Sequence, residues 1–294
     1  MDSFTNQQLQ LIITQLDQAI QNHDCWYKNL LRVLVAHLSP EETDLMPDAH
    51  RRCLFGQWYD SSQAEFIKEH PAFISLGTSH EKMHHSARVL LQRITENTPI
   101  AVSDWDQFSN HLESMRFAFQ TLRHEFADAV QNRDPLTEAQ TRTNLLTNLS
   151  QQQALVERGR QSCALVMLDL DHFKHINDEY GHAAGDEVLV STVQCIKSAL
   201  RPYDQIYRYG GEEFIICMPD TTVEQARQAA ERMRSAVEAQ CFQFAGSDAG
   251  LNVTASFGVS ALSSSFSVEE TMDRADQAMY KAKSAGRNRV VVDD

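Results

Sequence analysis

YRYGGEEF, residues 207–214, decides how the second half of this 294-residue chain is read. One short apolar segment, 206–209, runs into Gly210-Gly211-Glu212-Glu213, and another, 214–218, runs out. Two strands joined by a tight turn give that pattern. The glycines let the backbone turn sharply and approach a ligand closely. Glu212 and Glu213 stand at the tip, where a solvated acidic turn is the alternative reading.

Upstream, VMLDLDHFKHIND (166–178) gives the hairpin a partner. The apolar run 163–168 reads as a buried strand. It ends in Asp169 and Asp171, two residues apart and so on one face. Carboxylates at a strand end suit Mg²⁺, which takes oxygen ligands, and Lys174 follows within reach of a phosphate. Helices are expected at about 184–200, 222–239 and 268–284, with a further strand at 253–261. Strands alternating with helices make this half α/β. Taken together, the two motifs predict a carboxylate metal site over a nucleotide.

GGEEF (210–214), DLDHFKHIND, GHAAGDEVL (181–189) and KSAGRN (283–288) occur together. Over residues 134–294 the chain resembles the GGDEF family of diguanylate cyclases, in the variant with Glu at the third position. That resemblance implies a palm-like α/β domain with a central, mostly antiparallel sheet. It implies that Asp169, the Leu170 carbonyl and Glu212 hold Mg²⁺, with Glu213 a further candidate. Lys174, Lys283 and Arg287 would bind the triphosphate of GTP, and Asn177 and Asp186 the guanine edge. Either Glu212 or Glu213 would deprotonate the ribose 3′-hydroxyl. Two GTP molecules would condense to cyclic di-GMP, one held by each domain, so a homodimer is expected. RPYD (201–204) matches the family's inhibitory R-x-x-D site, with Arg201 and Asp204 binding product and Arg232 a secondary arginine. A surface Arg–Asp pair is the alternative there. One departure stands out. The family opens D-x-L-T-G-L-x-N-R, and here DPLTEAQTR (134–142) puts Glu138 at the glycine and Thr141 at the asparagine, which leaves the geometry of that turn open.

The first half is of another kind. Nine of the twelve histidines precede Asp134, and residues 5–133 read as helices. Leu9, Ile12, Ile13, Leu16 and Ile20 recur at helical spacing. Trp105, Phe108, Leu112, Met115, Phe119, Leu122, Phe126 and Ala129 alternate by three and four, a heptad stripe. Such a stripe is the buried face of a four-helix-like bundle or a seam against a second copy of the chain, and the two are compatible, since the N-terminal end could pack in the bundle while the C-terminal end pairs with a partner. Pro135 would break the helix, which sets the expected domains at 1–133 and 134–294.

HEKMHH (80–85) contains H-E-x-x-H, the metalloprotease helix pattern. A protease of that kind needs a further ligand and an open position for water, and its sequence here is interrupted by Lys82. RRCLFGQWY (51–59), with its C-x-x-G-x-W core, instead resembles the chemoreceptor zinc-binding (CZB) family. That resemblance implies Zn²⁺ held by His23, Cys53, His80 and His84, a closed site, with Glu81 pointing away and His85 outside it. Cys25 is the rival thiol. Zinc-inhibited enterobacterial cyclases supply the expected sign of regulation.

A net charge of −14 speaks against nucleic acid and anionic membranes as partners. No run reaches the length of a membrane span, no signal peptide is visible, and six unpaired-looking cysteines fit a reduced, cytoplasmic compartment. The expectation is a cytoplasmic, zinc-regulated, homodimeric diguanylate cyclase. Its rival is a catalytically weak receptor for cyclic di-GMP.

Overall fold

A capping box starts the first helix of the computed structural model: the Thr5 hydroxyl accepts from Gln8 N (3.2 Å), and Gln8 Oε1 accepts from Thr5 N (2.8 Å). The structure describes residues 4–242 and 251–293 and divides into two units, Met1–Val130 and Gln131–Asp294.

In the first unit, α1 (Asn6–Ala36) leads to three short helices, α2 (Glu42–Leu45), α3 (Ala49–Arg52) and α4 (Leu54–Asp60). A 3₁₀ turn, Ser62–Ile67, precedes the long helices α5 (Pro71–Thr95) and α6 (Val102–Gln131). Leu9, Ile12 and Leu16 of α1, Leu76, Met83 and Leu90 of α5, and the α6 stripe share one core. The sequence left two uses of that stripe open. Phe108 through Phe126 are buried within the chain itself, and Phe126 packs edge-on to Phe4. From Phe108 to Phe126 that face is covered within the chain, Trp105 and Ala129 at its two ends are only partly buried, and the exposed Phe117 lies off it.

The second unit opens with β1 (Gln140–Thr141) and α7 (Leu145–Glu157), then β2 (Cys163–Leu170), α8 (Phe173–Tyr180) and α9 (His182–Ala199). Next come β3 (Gln205–Arg208), β4 (Glu213–Pro219) and α10 (Val223–Glu238). A small hairpin, β5 (Cys241–Phe242) with β6 (Leu251–Asn252), precedes β7 (Ala255–Leu262), α11 (Val268–Ser284) and β8 (Val290–Val292). The main sheet runs β1-β3-β4-β2-β7-β8. Its three central pairings are antiparallel and its two edges parallel. The last long strand begins two residues later than the apolar run suggests; Val253 is buried but precedes it.

Strand β2 is buried at every position, because both faces of the sheet are covered. Ala164, Val166 and Leu168 face a core shared with α9 and α10. Cys163, Leu165 and Met167 face one shared with α7 and α11. The alternation of side chains along a strand does this sorting, and it leaves the strand's C-terminal end as the place where polar groups emerge.

Candidate functional site

The register of the central hairpin sets the acidic site. Asp169 pairs with Glu213 across β2 and β4, and Leu170 N donates to Glu212 O at 3.4 Å. Tyr209 N and Gly210 N both donate to Glu213 O, at 2.9 and 3.2 Å, closing the turn. Lys283, in the last turn of α11, places Nζ 2.7 Å from Asp169 Oδ2. Asp169 is only 5% exposed; burial pushes its carboxyl above the usual range, and Lys283 opposes that. Burial, followed by the charge of Asp169, raises Glu212 and Glu213 as well, again against Lys283. A single ammonium facing three hard-oxygen carboxylates leaves an excess of negative charge. A divalent cation that prefers oxygen ligands would relieve it.

Asp171 does not join this group. Its Oδ1 accepts from Ser256 Oγ (2.7 Å), and its Oδ2 from Thr254 Oγ1 (2.7 Å) and Asn288 N (3.0 Å). Alternation along the strand predicted one face for both aspartates, but Asp171 lies one residue beyond the last ladder position and turns inward. A different acid enters from α11. Asp276 adds its negative charge to the field at Asp169 and Glu213. It sits two helical turns before Lys283, and that spacing was the available signal for it.

The nucleotide-reading candidates lie on α8 and α9. Lys174 and Asp186 are exposed, and Asn177 is half-buried. A Cβ on Gly185 would fall 2.0 Å from Asn177 Oδ1, so the glycine is what allows Asn177 its place. Arg287 is exposed just beyond α11, with φ +63°.

In the Arg201–Asp204 turn, Asp204 Oδ2 accepts from Arg201 N (2.9 Å) and Asp204 N donates to Arg201 O (3.0 Å). The carboxylate thus holds the backbone rather than the guanidinium, which has no ion pair among the described residues. Arg232 is exposed on α10.

Asp134 Oδ1 accepts from Thr137 N (2.8 Å), Thr137 Oγ1 (2.7 Å) and Arg208 Nη1 (2.9 Å). Arg208 Nη2 in turn donates to Gly211 O at 2.7 Å, beside Glu212. Burial would raise Asp134, but these donors outweigh it and hold the carboxyl below its ordinary value. Glu138 keeps the left-handed conformation, φ +56°, and Lys197 Nζ holds its carbonyl at 2.7 Å. The turn left open by the sequence is therefore made without the glycine.

The first unit carries a second cluster. His23 Nδ1 donates to Ala19 O at 2.8 Å, which points its Nε2 inward. Cys53 caps α4, accepting from Gly56 N at 3.3 Å. A Cβ at Gly56 would lie 1.8 Å from His50 O, so the glycine lets α3 and α4 pack closely enough to aim the thiol. His80 Nε2 is 3.2 Å from Cys53 Sγ and 3.0 Å from His23 Nε2. His84 Nε2 is buried and has no hydrogen-bond partner. The four donor atoms lie within 4.8 Å of one another; tetrahedral zinc ligands sit about 3.3–3.8 Å apart. Burial lowers the pKa of all three histidines: His80 well below the ordinary value, His84 to about 3. Neutral imidazole is the ligating form. Burial pushes the Cys53 thiol up, against the Gly56 and Phe55 N–H groups. An orphaned buried nitrogen, converging imidazoles and a thiol fit a bound transition metal. Glu81 is turned outward toward His50 (3.9 Å), so the H-E-x-x-H match gives no general base here. His85 and Cys25 are exposed and outside the cluster. Among the described residues no helix is long and apolar enough to cross a membrane.

Residues 131–289 match the family described as diguanylate cyclase, GGDEF domain, and residues 23–91 match the chemoreceptor zinc-binding domain. The chain is 32% identical to diguanylate cyclase DgcZ of Escherichia coli K12, over 98% of this chain and 95% of that protein. It is 38% identical to diguanylate cyclase DgcP of Pseudomonas aeruginosa, over 72% of this chain but only 30% of that protein. Among solved structures, the GGDEF domain of DgcB from Caulobacter crescentus, in complex with c-di-GMP, matches 56% of this chain and 94% of that one. Its TM-score is 0.54, at 32% identity. Similarity running from the histidine cluster through the acidic hairpin, and along nearly the whole of one cyclase, establishes that the chain belongs to the GGDEF family of diguanylate cyclases.

Proposed function

We propose that the chain is a zinc-regulated diguanylate cyclase, with residues 1–133 as the zinc-binding regulatory and dimerisation domain and 134–294 as the cyclase. Two GTP molecules condense to cyclic di-GMP. The 3′-hydroxyl of each attacks the α-phosphorus of the other, two P–O bonds form, and two pyrophosphates leave. Lys174, Lys283 and Arg287 hold the triphosphate and offset its charge. Asn177 and Asp186 read the guanine edge. Glu212 or Glu213, each raised toward neutrality by burial and by Asp169, takes the proton of the attacking hydroxyl. Bound Mg²⁺, held by Asp169, Leu170 O and Glu212, would supply charge stabilisation at the attacking and leaving oxygens. One domain holds one GTP, so two copies must face each other. GTP as substrate places the reaction in the cytoplasm.

His23, Cys53, His80 and His84 would hold Zn²⁺ and so tie α1, α4 and α5 together. Its loss would free the paired catalytic domains. Arg201, Asp204 and Arg232 would bind product and inhibit; the Arg201 guanidinium, without an ion pair among the described residues, supports that reading, since it can grip a guanine or phosphate.

The convergence of Asp169, Glu212, Glu213 and Lys283 supports catalysis most directly. The receptor alternative draws on the altered DPLTEAQTR segment, and the left-handed turn formed at Glu138 without glycine favours the cyclase over it. Incubation with GTP and Mg²⁺, followed by chromatography, should yield cyclic di-GMP, and Glu212→Gln should abolish it. Equal yield from both proteins would overturn the reading.

A further inference from the structure

Asp171 presents a chemistry that the reaction itself does not use. It is 4% exposed, yet it accepts three hydrogen bonds: from Ser256, from Thr254 and from the backbone N–H of Asn288. Its own N donates to Thr254 O at 2.8 Å. The Asn288 side chain is gripped from α10. Its Oδ1 accepts from Arg234 Nη1 (2.8 Å), and its Nδ2 donates to Glu238 Oε1 (2.7 Å). Arg234 Nη1 also donates to Glu238 Oε2 at 2.7 Å, which locks the pair. Asn288 is thus held at backbone and side chain by two separate elements.

What these bonds hold is an unusual backbone. Gly286, Arg287 and Asn288 have φ of +113°, +63° and +45° in succession. Non-glycine residues populate that region sparsely, and two in a row persist only where the surroundings over-determine them. Between the anchored Asn288 and the end of α11 stands Arg287, whose N donates to Ala282 O at 3.0 Å. Its guanidinium has no bonding partner among the described residues. The strand end that grips Lys283 through Asp169 therefore grips the Arg287 turn through Asp171.

We propose that Asp171 and Asn288 are positioning residues for Arg287. The buried carboxylate and the Arg234–Glu238 pair hold the 286–288 turn in its left-handed course, so that the Arg287 guanidinium is presented in advance to the triphosphate. This rests on the reading that Arg287 contacts the phosphates. Pre-ordering a long, flexible side chain removes part of what binding would otherwise lose in ordering it.

The test is binding of a non-hydrolysable GTP analogue and of GMP to the full chain, in Mg²⁺. Asp171→Asn keeps the shape but replaces an accepting oxygen with an amide nitrogen. It should weaken the analogue about tenfold and leave GMP unchanged, because GMP lacks the outer phosphates. On an Arg287→Ala background it should add nothing, as groups acting through one contact do not add. Asn288→Ala, which leaves the buried carboxylate in place, should reproduce the selective loss even where Asp171→Asn folds poorly. Equal weakening of GMP and analogue, or full additivity with Arg287→Ala, would overturn the proposal and leave Asp171 a purely structural group. If Arg287→Ala itself leaves analogue binding unchanged, the phosphate reading of Arg287 falls and the proposal with it. If Arg287→Ala weakens binding and neither Asp171→Asn nor Asn288→Ala does, the proposal alone falls.

Discussion

Lys283 Nζ lies 2.7 Å from Asp169 Oδ2, so a cation assigned to the triphosphate rests on a carboxylate assigned to the metal. The two roles compete until both ligands arrive. Lys283→Ala should therefore act in two directions. The carboxylates lose their one internal counter-ion, and affinity for a divalent ion alone should rise. The triphosphate loses an ammonium, and kcat/KM for GTP should fall about a hundredfold, the scale of one fixed donor at a developing charge. Titration of Mn²⁺ without nucleotide, beside steady-state kinetics, reads both. A drop in metal affinity would contradict the competition.

Gly185 holds the guanine candidate in place by having no side chain. A methyl there would fall 2.0 Å from Asn177 Oδ1 and 3.2 Å from Phe173 Cζ. Gly185→Ala should push the amide off its course with little effect on the helix, since alanine favours helix over glycine. KM for GTP should rise about tenfold, and the preference for GTP over ITP, which lacks the exocyclic amine, should shrink. An unchanged GTP-to-ITP ratio would remove Asn177 from guanine recognition.

Much of this was legible in the chain because the signals are local. GGEEF sits on a hairpin whose partners are a few residues apart, and the α6 stripe is a plain heptad. The illegible part is long-range. Asp171 reads as a second metal carboxylate until Thr254, Ser256 and Asn288, as many as 117 residues away, are seen to fill it. The α6 stripe fits a bundle face or a partner seam until its middle, Phe108 to Phe126, is found in one core with Leu16 of α1 and Met83 of α5. Periodicity gives a face, and only the fold says what covers that face.

Glu138 occupies a left-handed position with a side chain that disfavours it. The bonds Asp134 accepts from Thr137 and Lys197's bond to the Glu138 carbonyl hold it there. Glu138→Gly should raise stability by about 0.5–1 kcal/mol, the backbone penalty less the extra freedom glycine has when unfolded. Urea unfolding followed by circular dichroism, with cyclase turnover measured alongside, checks it. Lower stability would mean that the Glu138 side chain makes a contact worth more than the strain.

The histidine cluster predicts how the first unit responds to acid once metal is stripped. Burial holds His84 at about 3 and His80 well below its ordinary value. Unfolded, each would titrate near 6.5. Above that pH neither state binds a proton there, and the histidines add no pH dependence. As pH falls below 6.5 the unfolded chain takes protons that the folded chain refuses, so stability drops by about 1.4 kcal/mol per unit for each histidine. Between pH 6.5 and 5 His84 alone should remove about 1.5–2 kcal/mol, and His80 and His23, both lowered by burial, act in the same direction. All three tryptophans, Trp26, Trp58 and Trp105, lie in this unit, so their fluorescence reports on it alone. In chelator-treated protein the urea midpoint should fall from pH 7 to pH 5, and His84→Leu should make that fall shallower. Zinc-loaded protein should hold its midpoint further into acid, then lose it more steeply, because ligand protonation releases the ion. The same midpoint at pH 5 and pH 7 in the stripped protein would mean that these imidazoles accept protons in the folded state, and a closed site of neutral ligands would not then be preformed.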